Sequence, residues 1–333
     1  MPKQLTPEDI AQIIADALSG EEEVADIRQV VPASLTKPRT RKKNSKLKAA
    51  ILLPDAQIGF RRYEDETWDP FHDNRAIDVA FQITAMIQEE HQVDKVLLLG
   101  DMMDLPAQGK YDQEPSFANT INKTLQAGHN FFSTIRALAP HSEIVYLEGN
   151  HDCRMEKYVR NNAPTIATMR QVNSPFPVNS LPHLMRFDEI GVDYVSGYPA
   201  SAYWVNPRLQ AVHGNRANSN GSTALQHLNK NPLVSTLFGH SHRFEMMYKT
   251  HNTPDGPKDS MAFSPGCLCR VDGAVPSYNG GINIHEKPVT FYENWQQGIG
   301  VLWYREDGYF AIDPVRIHDG KALYRGQEFV SSL

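Results

Sequence analysis

Five short segments of this chain place acidic, amide or imidazole side chains directly after a run of aliphatic residues. Side chains of these types bind divalent metal ions and transfer protons in proteins. The set contains carboxylates, imidazoles and two carboxamides but no thiolate, which suits Mn, Fe, Zn or Mg. The segments are DAQ at 55–57, GDMMD at 100–104, GNHD at 149–152, HG at 213–214 and GHSH at 239–242.

The preceding runs predict strands that position these side chains. They are AAILLP, KVLLLG, IVYLEG, LQAVHG and LVSTLFGH, short and rich in Val, Ile and Leu, as is typical of strands buried on both faces. Helices are predicted at 74–90 and 117–138 between the first three strands, which indicates an α/β fold. Ligands of such folds bind at the carboxyl ends of the strands, so we expect the five segments to converge in one crevice.

Each motif alone has a simpler interpretation. GNHD is compatible with a turn and a helix cap, GHSH with a surface loop, and GDMMD with a strand-to-helix connection. The combination is more specific, because all five segments occur in order and each follows a buried strand.

As an ordered set, the segments resemble the calcineurin-like metallophosphoesterases, which include phosphatases, cyclic-nucleotide phosphodiesterases and nucleases. The pattern of that superfamily is D-x-H, GD-x-x-D, GNH-D/E, H and GH-x-H. The resemblance covers roughly residues 49–270 and departs from the pattern at Gln57, which stands where the family usually has histidine. It implies a four-layer αββα sandwich of two packed mixed sheets flanked by helices.

The resemblance also implies two divalent metal ions, with manganese preferred and Mg, Fe, Zn or Ni as alternatives. The first ion would be bound by Asp55, Gln57, Asp101 and His242. The second ion would be bound by Asp101, Asn150, His213 and His240. Asp101 would bridge the two ions, because the two oxygens of a carboxylate can bind two cations. A carboxamide oxygen at Gln57 would favour Mn or Mg at the first site.

Two further residues are predicted to be catalytic. The metal ions would lower the pKa of a shared water, which attacks the phosphorus of a phosphate ester. His151 would stabilise the phosphoryl charge and assist the leaving oxygen, and Asp104 would orient its imidazole. Asp152 is expected to fix its loop. Arg154, Arg243, Arg61 and Arg62 follow the motifs and could bind a substrate phosphate, but a structural role is equally compatible with each.

Three functions remain open. A phosphodiesterase acting on nucleic acid or a nucleotide is favoured by nearby basic and aromatic residues. A phosphomonoesterase acting on a protein or small molecule would use the same metal centre. An inactive, metal-bound interaction module is the third, supported only by the missing histidine at position 57.

Composition and organisation add few constraints on the partner. A net charge of −6 over 333 residues argues against binding nucleic acid by bulk charge. Residues 1–48 are predicted to form an amphipathic helix at 6–19 and a basic linker at 37–48, and residues 49–333 one domain that becomes β-rich after about 243. No apolar run is long enough to cross a bilayer and no secretory signal is evident, so we expect a cytoplasmic protein with no membrane partner.

Overall fold

The computed structural model describes residues 47–109, 113–218, 221–276, 281–282, 288–289 and 293–333. The predicted N-terminal helix and nearly all of the basic linker lie outside these residues, and Lys48 already belongs to the first strand. Seventeen strands occur in the described part: β1 (Lys48–Leu53), β2 (Phe60–Arg62), β3 (Trp68–Pro70), β4 (Val93–Leu98), β5 (Glu143–Leu147), β6 (Val192–Val195), β7 (Ala202–Asn206), β8 (Leu209–Val212), β9 (Ser235–Phe238), β10 (Phe244–Thr253), β11 (Gly256–Pro265), β12 (Gly281–Ile282), β13 (Pro288–Val289), β14 (Gln297–Tyr304), β15 (Phe310–His318), β16 (Lys321–Tyr324) and β17 (Gln327–Val330).

Six α-helices accompany these strands where the chain is described. They are α1 (Asn74–His91), α2 (Ile121–Leu138), α3 (Arg154–Asn162), α4 (Leu181–Leu184), α5 (Phe187–Ile190) and α6 (Thr223–Lys230). The helix α1 begins where predicted, because the Asp73 carboxylate accepts hydrogen bonds from the backbone N–H groups of Arg75 and Ala76. Among the residues described, none of the helices is both long and apolar enough to cross a membrane.

The strands form two large mixed sheets and two small hairpin sheets. The larger sheet has eight strands in the order β17-β16-β15-β14-β1-β4-β5-β6, and the other has five in the order β10-β11-β9-β8-β7. In the larger sheet β1, β4, β5 and β6 are parallel, whereas β14 pairs antiparallel with β1. The protein therefore has a mixed α/β fold with two mixed sheets plus helices, as expected.

The assignment of strands to sheets differs from the simplest interpretation of the sequence. Of the five strands that precede the motifs, β1, β4 and β5 belong to the larger sheet, but β8 and β9 belong to the five-stranded one. The β-rich region after residue 243 is also divided: β10 and β11 join the five-stranded sheet, whereas β14 to β17 extend the larger one. Aliphatic runs predict strands but do not determine which strands pair.

The alternation of side chains along β1 shows how both faces of the larger sheet are covered. Ile51 belongs to a buried cluster with residues of α1 and α2, such as Phe81 and Phe132. Leu52, on the opposite face, belongs to a second cluster that includes Leu237 of the five-stranded sheet. Successive residues of a strand point to opposite faces. The two sheets therefore share one apolar core, and the helices contribute to another.

Candidate metal centre

All nine residues predicted to bind metal or act in catalysis lie together, where the carboxyl ends of strands from both sheets meet. The larger sheet contributes residues that follow β1, β4 and β5, and the five-stranded sheet contributes residues that follow β8 and β9. The predicted convergence therefore occurs, although the crevice lies between two sheets.

The residues expected at the first metal site form a buried group of four. His242 Nε2 lies 3.2 Å from Asp55 Oδ1. Gln57 Nε2 lies 3.5 Å from His242 Nε2 and 3.5 Å from Asp101 Oδ2. These contacts link the four side chains into one buried group.

The residues expected at the second metal site form an adjoining group. His213 Nε2 lies 3.2 Å from Asp101 Oδ2 and 3.2 Å from Asn150 Oδ1. His240 Nδ1 lies 2.8 Å from the same Asn150 oxygen. The ligand atoms of Asp101, His213 and His240 all lie within 4.8 Å of one another, as a buried metal site requires.

Asp101 is the residue that the two groups share, and only one of its oxygens faces both of them. Oδ2 is the atom near Gln57 and His213. Oδ1 instead accepts a hydrogen bond of 2.7 Å from the backbone N–H of His151. Oδ2 is therefore the Asp101 oxygen that faces both donor groups.

The backbone is held in a rare conformation at five of the seven expected ligands. Thirteen non-glycine residues of the described part have positive φ angles, and the five ligands among them are Asp55, Gln57, Asp101, His240 and His242. Side chains with a Cβ adopt this region at a cost, and such residues concentrate at functional sites. The occurrence of five expected ligands among these residues indicates that the placement of their side chains outweighs the cost of a strained backbone.

The glycines of three motifs leave room for these side chains. A Cβ atom at Gly149 would lie 2.1 Å from Asp101 Oδ1, and one at Gly239 would lie 2.6 Å from Asp55 Oδ2. At Gly100 it would lie 2.4 Å from Nδ1 of His213. Each glycine is therefore required by the ligand that packs against it.

The donor set fits divalent cations. The Gln57 side-chain oxygen is buried and has no hydrogen-bond partner among the described residues, and a buried polar atom is normally paired. Burial alone would raise the pKa of Asp101, but the imidazoles of His213 and His151 outweigh burial and hold this pKa below its usual value. Gln57 thus offers an unpaired oxygen beside a carboxylate that stays anionic.

The pKa values of the two imidazoles in the second group are shifted in opposite directions. Burial opposes protonation of His213, but the Asp101 carboxylate outweighs it and raises the pKa of His213 to about 10. Burial and the neighbouring His213 lower the pKa of His240 to about 3. The Asp101 carboxylate therefore stabilises positive charge on the His213 imidazole.

Residues that sequence reasoning did not single out orient two of the histidines. His213 Nδ1 lies 2.7 Å from the carbonyl oxygen of Leu99, which leaves Nε2 facing the donor group. His242 Nδ1 lies 3.7 Å from the Cys269 thiol, and the Trp295 ring centre lies 4.1 Å from the His242 ring centre. Leu99 directly precedes a motif and was therefore accessible to prediction, whereas Cys269 and Trp295 carry no signal in the sequence.

His151 and Asp104 form the expected pair beside the metal centre. His151 Nδ1 lies 3.1 Å from Asp104 Oδ1, and both side chains are buried. His151 Nε2 lies 3.8 Å from Asp101 Oδ2, the oxygen shared by the two donor groups. The imidazole therefore lies beside the oxygen that faces both donor groups.

Asp152 fixes its loop, as expected. Its carboxylate accepts hydrogen bonds from the backbone N–H groups of Asp101 at 2.7 Å, Gly149 at 2.8 Å and Met103 at 3.2 Å. The Tyr146 hydroxyl also donates to it. Burial and the nearby Asp101 carboxylate raise the pKa of Asp152 to about 7. Asp152 thus joins the GDMMD and GNHD segments.

The four arginines that could bind phosphate make different contacts in the structure. Arg61 is buried against Glu114, Arg62 pairs with Glu66, and Arg243 donates to a backbone carbonyl. Of the four, Arg154 is the one that donates to a predicted catalytic residue.

Comparisons with known proteins give distant matches only. No family model and no curated protein matches the chain. The chain is similar to the NAD nucleotidase of Haemophilus influenzae, with 9% identity and a TM-score of 0.34 over 80% of this chain and 49% of that one. It is also similar to a 5'-nucleotidase precursor from Thermus thermophilus, with 11% identity and a TM-score of 0.28 over 80% and 53%. The chain thus spans about half the length of these structures.

Proposed function

We propose that this protein is a metal-dependent hydrolase of phosphate esters with a calcineurin-like metallophosphoesterase fold. One observation carries the proposal: two groups of four donors share a carboxylate oxygen of Asp101 beside the buried His151–Asp104 pair. A site that only held metal for structural reasons would not need an imidazole oriented by a carboxylate. This pair therefore argues against the inactive interaction module.

Asp55, Gln57, Asp101 and His242 would hold one divalent cation, and Asp101, Asn150, His213 and His240 the other. Such cations supply Lewis acidity, since they lower the pKa of a water that they hold and offset negative charge on phosphate oxygens. The oxygen-rich first group favours manganese or magnesium. The buried clusters on both faces of the larger sheet support the four-layer αββα arrangement as part of the proposal.

The protein's own residues supply the proton transfer. The Asp104 carboxylate, 3.1 Å from Nδ1, fixes the orientation of the His151 ring. In its protonated form, Nε2 then transfers a proton to the leaving oxygen as the bond to phosphorus breaks. A water supplies the new oxygen on phosphorus, and its proton replaces the one that His151 has given up. The products are an alcohol and a phosphate with one ester bond fewer.

The substrate class separates the two remaining functions. We propose a phosphodiester of a nucleic acid or nucleotide, on the strength of the basic and aromatic residues near the motifs, and a phosphomonoester as the alternative. Bis-p-nitrophenyl phosphate, p-nitrophenyl phosphate, single-stranded and duplex DNA, and cyclic nucleotides should be compared with Mn, Mg, Zn and Ni. Turnover of the monoester alone would contradict the diester proposal.

The test of the metal centre is Asp101→Asn, with Asp94→Asn, near the start of the strand that precedes Asp101, as the control. Asp94 lies in β4, where it contacts Tyr304 and Lys48. Asp101→Asn should reduce occupancy of both sites and abolish turnover, whereas Asp94→Asn should retain both. Two bound metals and near-native turnover in Asp101→Asn would refute the proposal.

A further inference from the structure

Arg154 occupies an unexpected position at the catalytic pair. It is the first residue of α3 and is buried, with 8% of its surface exposed. Its Nη1 atom donates to Asp104 Oδ1, and its Nη2 atom lies 3.2 Å from His151 Nε2. The guanidinium thus contacts both members of the pair at once.

The chemistry of a guanidinium fixes what these contacts mean. Arginine donates hydrogen bonds and accepts none, so its Nη2 must meet a lone pair on His151 Nε2. The imidazole proton is then on Nδ1, where Asp104 accepts it. His151 Nε2 is therefore already engaged in this structure, although it is the atom that must reach a leaving oxygen in the proposed reaction.

Asp104 offers the guanidinium a second position. Its Oδ1 atom accepts from both His151 and Arg154, whereas its Oδ2 atom is buried and has no hydrogen-bond partner within the described residues. Arg154 can therefore turn away from His151 while staying paired with Asp104. Nη2 is then free to donate to a group bound at the metal centre.

We propose that Arg154 is a substrate-binding residue that exchanges its contact with His151 Nε2 for a phosphate oxygen of the substrate. This inference rests on the proposed function and extends it. The guanidinium recognises phosphate by charge-assisted hydrogen bonds. Its departure leaves the Nε2 lone pair free to accept the proton that passes to the leaving oxygen only when a phosphate is present, so binding and activation of His151 are linked.

The proposal is tested with Arg154→Gln and Arg154→Lys, and with Arg160→Gln as the matched control. Arg160 lies on the same helix, is exposed, and its removal changes the net charge equally. Inorganic phosphate binding to the manganese-loaded protein should be measured by calorimetry, together with kcat and KM on a chromogenic ester. Calorimetry does not depend on turnover, so it remains informative if the proposed hydrolysis fails.

Arg154→Gln should weaken phosphate binding and raise KM by about 10-fold to 100-fold, as expected for loss of a charge-assisted hydrogen bond. Arg154→Lys should retain part of the affinity, and Arg160→Gln should match the wild type. Added guanidinium ion at low concentration should partly restore phosphate binding in Arg154→Ala. If kcat falls while phosphate affinity and KM stay unchanged, Arg154 only positions His151 and the proposal is overturned. Affinity equal to the wild type in all variants overturns it as well.

Discussion

Replacing Gly149 with Ala would place a methyl group in space that Asp101 occupies. The added Cβ would lie 2.1 Å from Asp101 Oδ1, 2.5 Å from its backbone nitrogen and 2.8 Å from its carboxyl carbon. Ordinary contacts begin at 3.4 Å, so the carboxylate must move by about 1.3 Å. The movement would break the 2.7 Å hydrogen bond from the His151 N–H and carry Oδ2 away from both donor groups.

The magnitude follows from two contributions. Overpacking of a buried site costs about 1 to 3 kcal/mol, and an unpaired buried N–H costs about 1 to 3 kcal/mol. We therefore expect Gly149→Ala to lower the free energy of unfolding by about 3 kcal/mol. A displacement of about 1 Å at a catalytic centre lowers turnover by about 100-fold. Affinity for both metal ions should fall together.

The assay separates folding from metal binding. Urea unfolding in EDTA gives the stability of the metal-free protein, manganese titration gives occupancy, and a chromogenic ester gives turnover. Gly326→Ala is the control, because Gly326 has a φ of 77° in the turn between β16 and β17 and no atom lies within 4 Å of its added Cβ. This control should lose about 1 to 2 kcal/mol and keep its metals. Native manganese affinity and turnover in Gly149→Ala would refute the reasoning.

Three further outcomes are expected. Gln57→His should raise metal affinity at the first site and shift the metal preference toward zinc or iron. Gln57→Ala should weaken metal binding at the first site and leave the second site unchanged. Equal metal titrations of the wild type and both variants would show that Gln57 does not bind metal. His151→Ala should lower kcat by roughly 100-fold or more with both metals still bound, and metal loss by elemental analysis would contradict its catalytic role. His72 is buried, and burial lowers its pKa to about 4 from an unfolded value of 6.5. The stabilisation by neutral His72 is therefore complete above pH 6.5, and up to about 3 kcal/mol of the free energy of unfolding is lost as the pH falls toward 4. The free energy of unfolding of His72→Phe, measured in urea, should depend less on pH over this range. An unchanged pH dependence would contradict the assignment.

The convergence of the five motif segments could be predicted from the sequence because its signal is local. Strands β1, β4, β5, β8 and β9 fall where the aliphatic runs predict them, and each is followed by its motif. The helices predicted at 74–90 and 117–138 correspond to Asn74–His91 and Ile121–Leu138. Burial and ligand chemistry are both encoded within a few residues, so neither requires knowledge of the tertiary structure.

The features that could not be predicted depend on contacts between distant segments. The division of β8 and β9 into a separate sheet follows from strand pairing, which a short aliphatic run does not encode. The thiol of Cys269 lies beside His242, 27 positions away in the chain. The sequence did not distinguish Arg154 from the other three arginines that could bind phosphate. Its contacts with Asp104 and His151 distinguish it in the structure.

Each group of donors takes side chains from both sheets. In the first, Asp55 follows a strand of the larger sheet and His242 a strand of the other; in the second, the same holds for Asn150 and His240. A cation held by either group would therefore cross-link the two sheets, in addition to their shared apolar core and contacts such as the hydrogen bond from the Tyr203 hydroxyl to Glu143. By mass action, a cation at 100 times its dissociation constant adds about 2.7 kcal/mol to the folded state. Bound metal would thus strengthen the association between the two sheets. A chelator would weaken this association before either sheet unfolds.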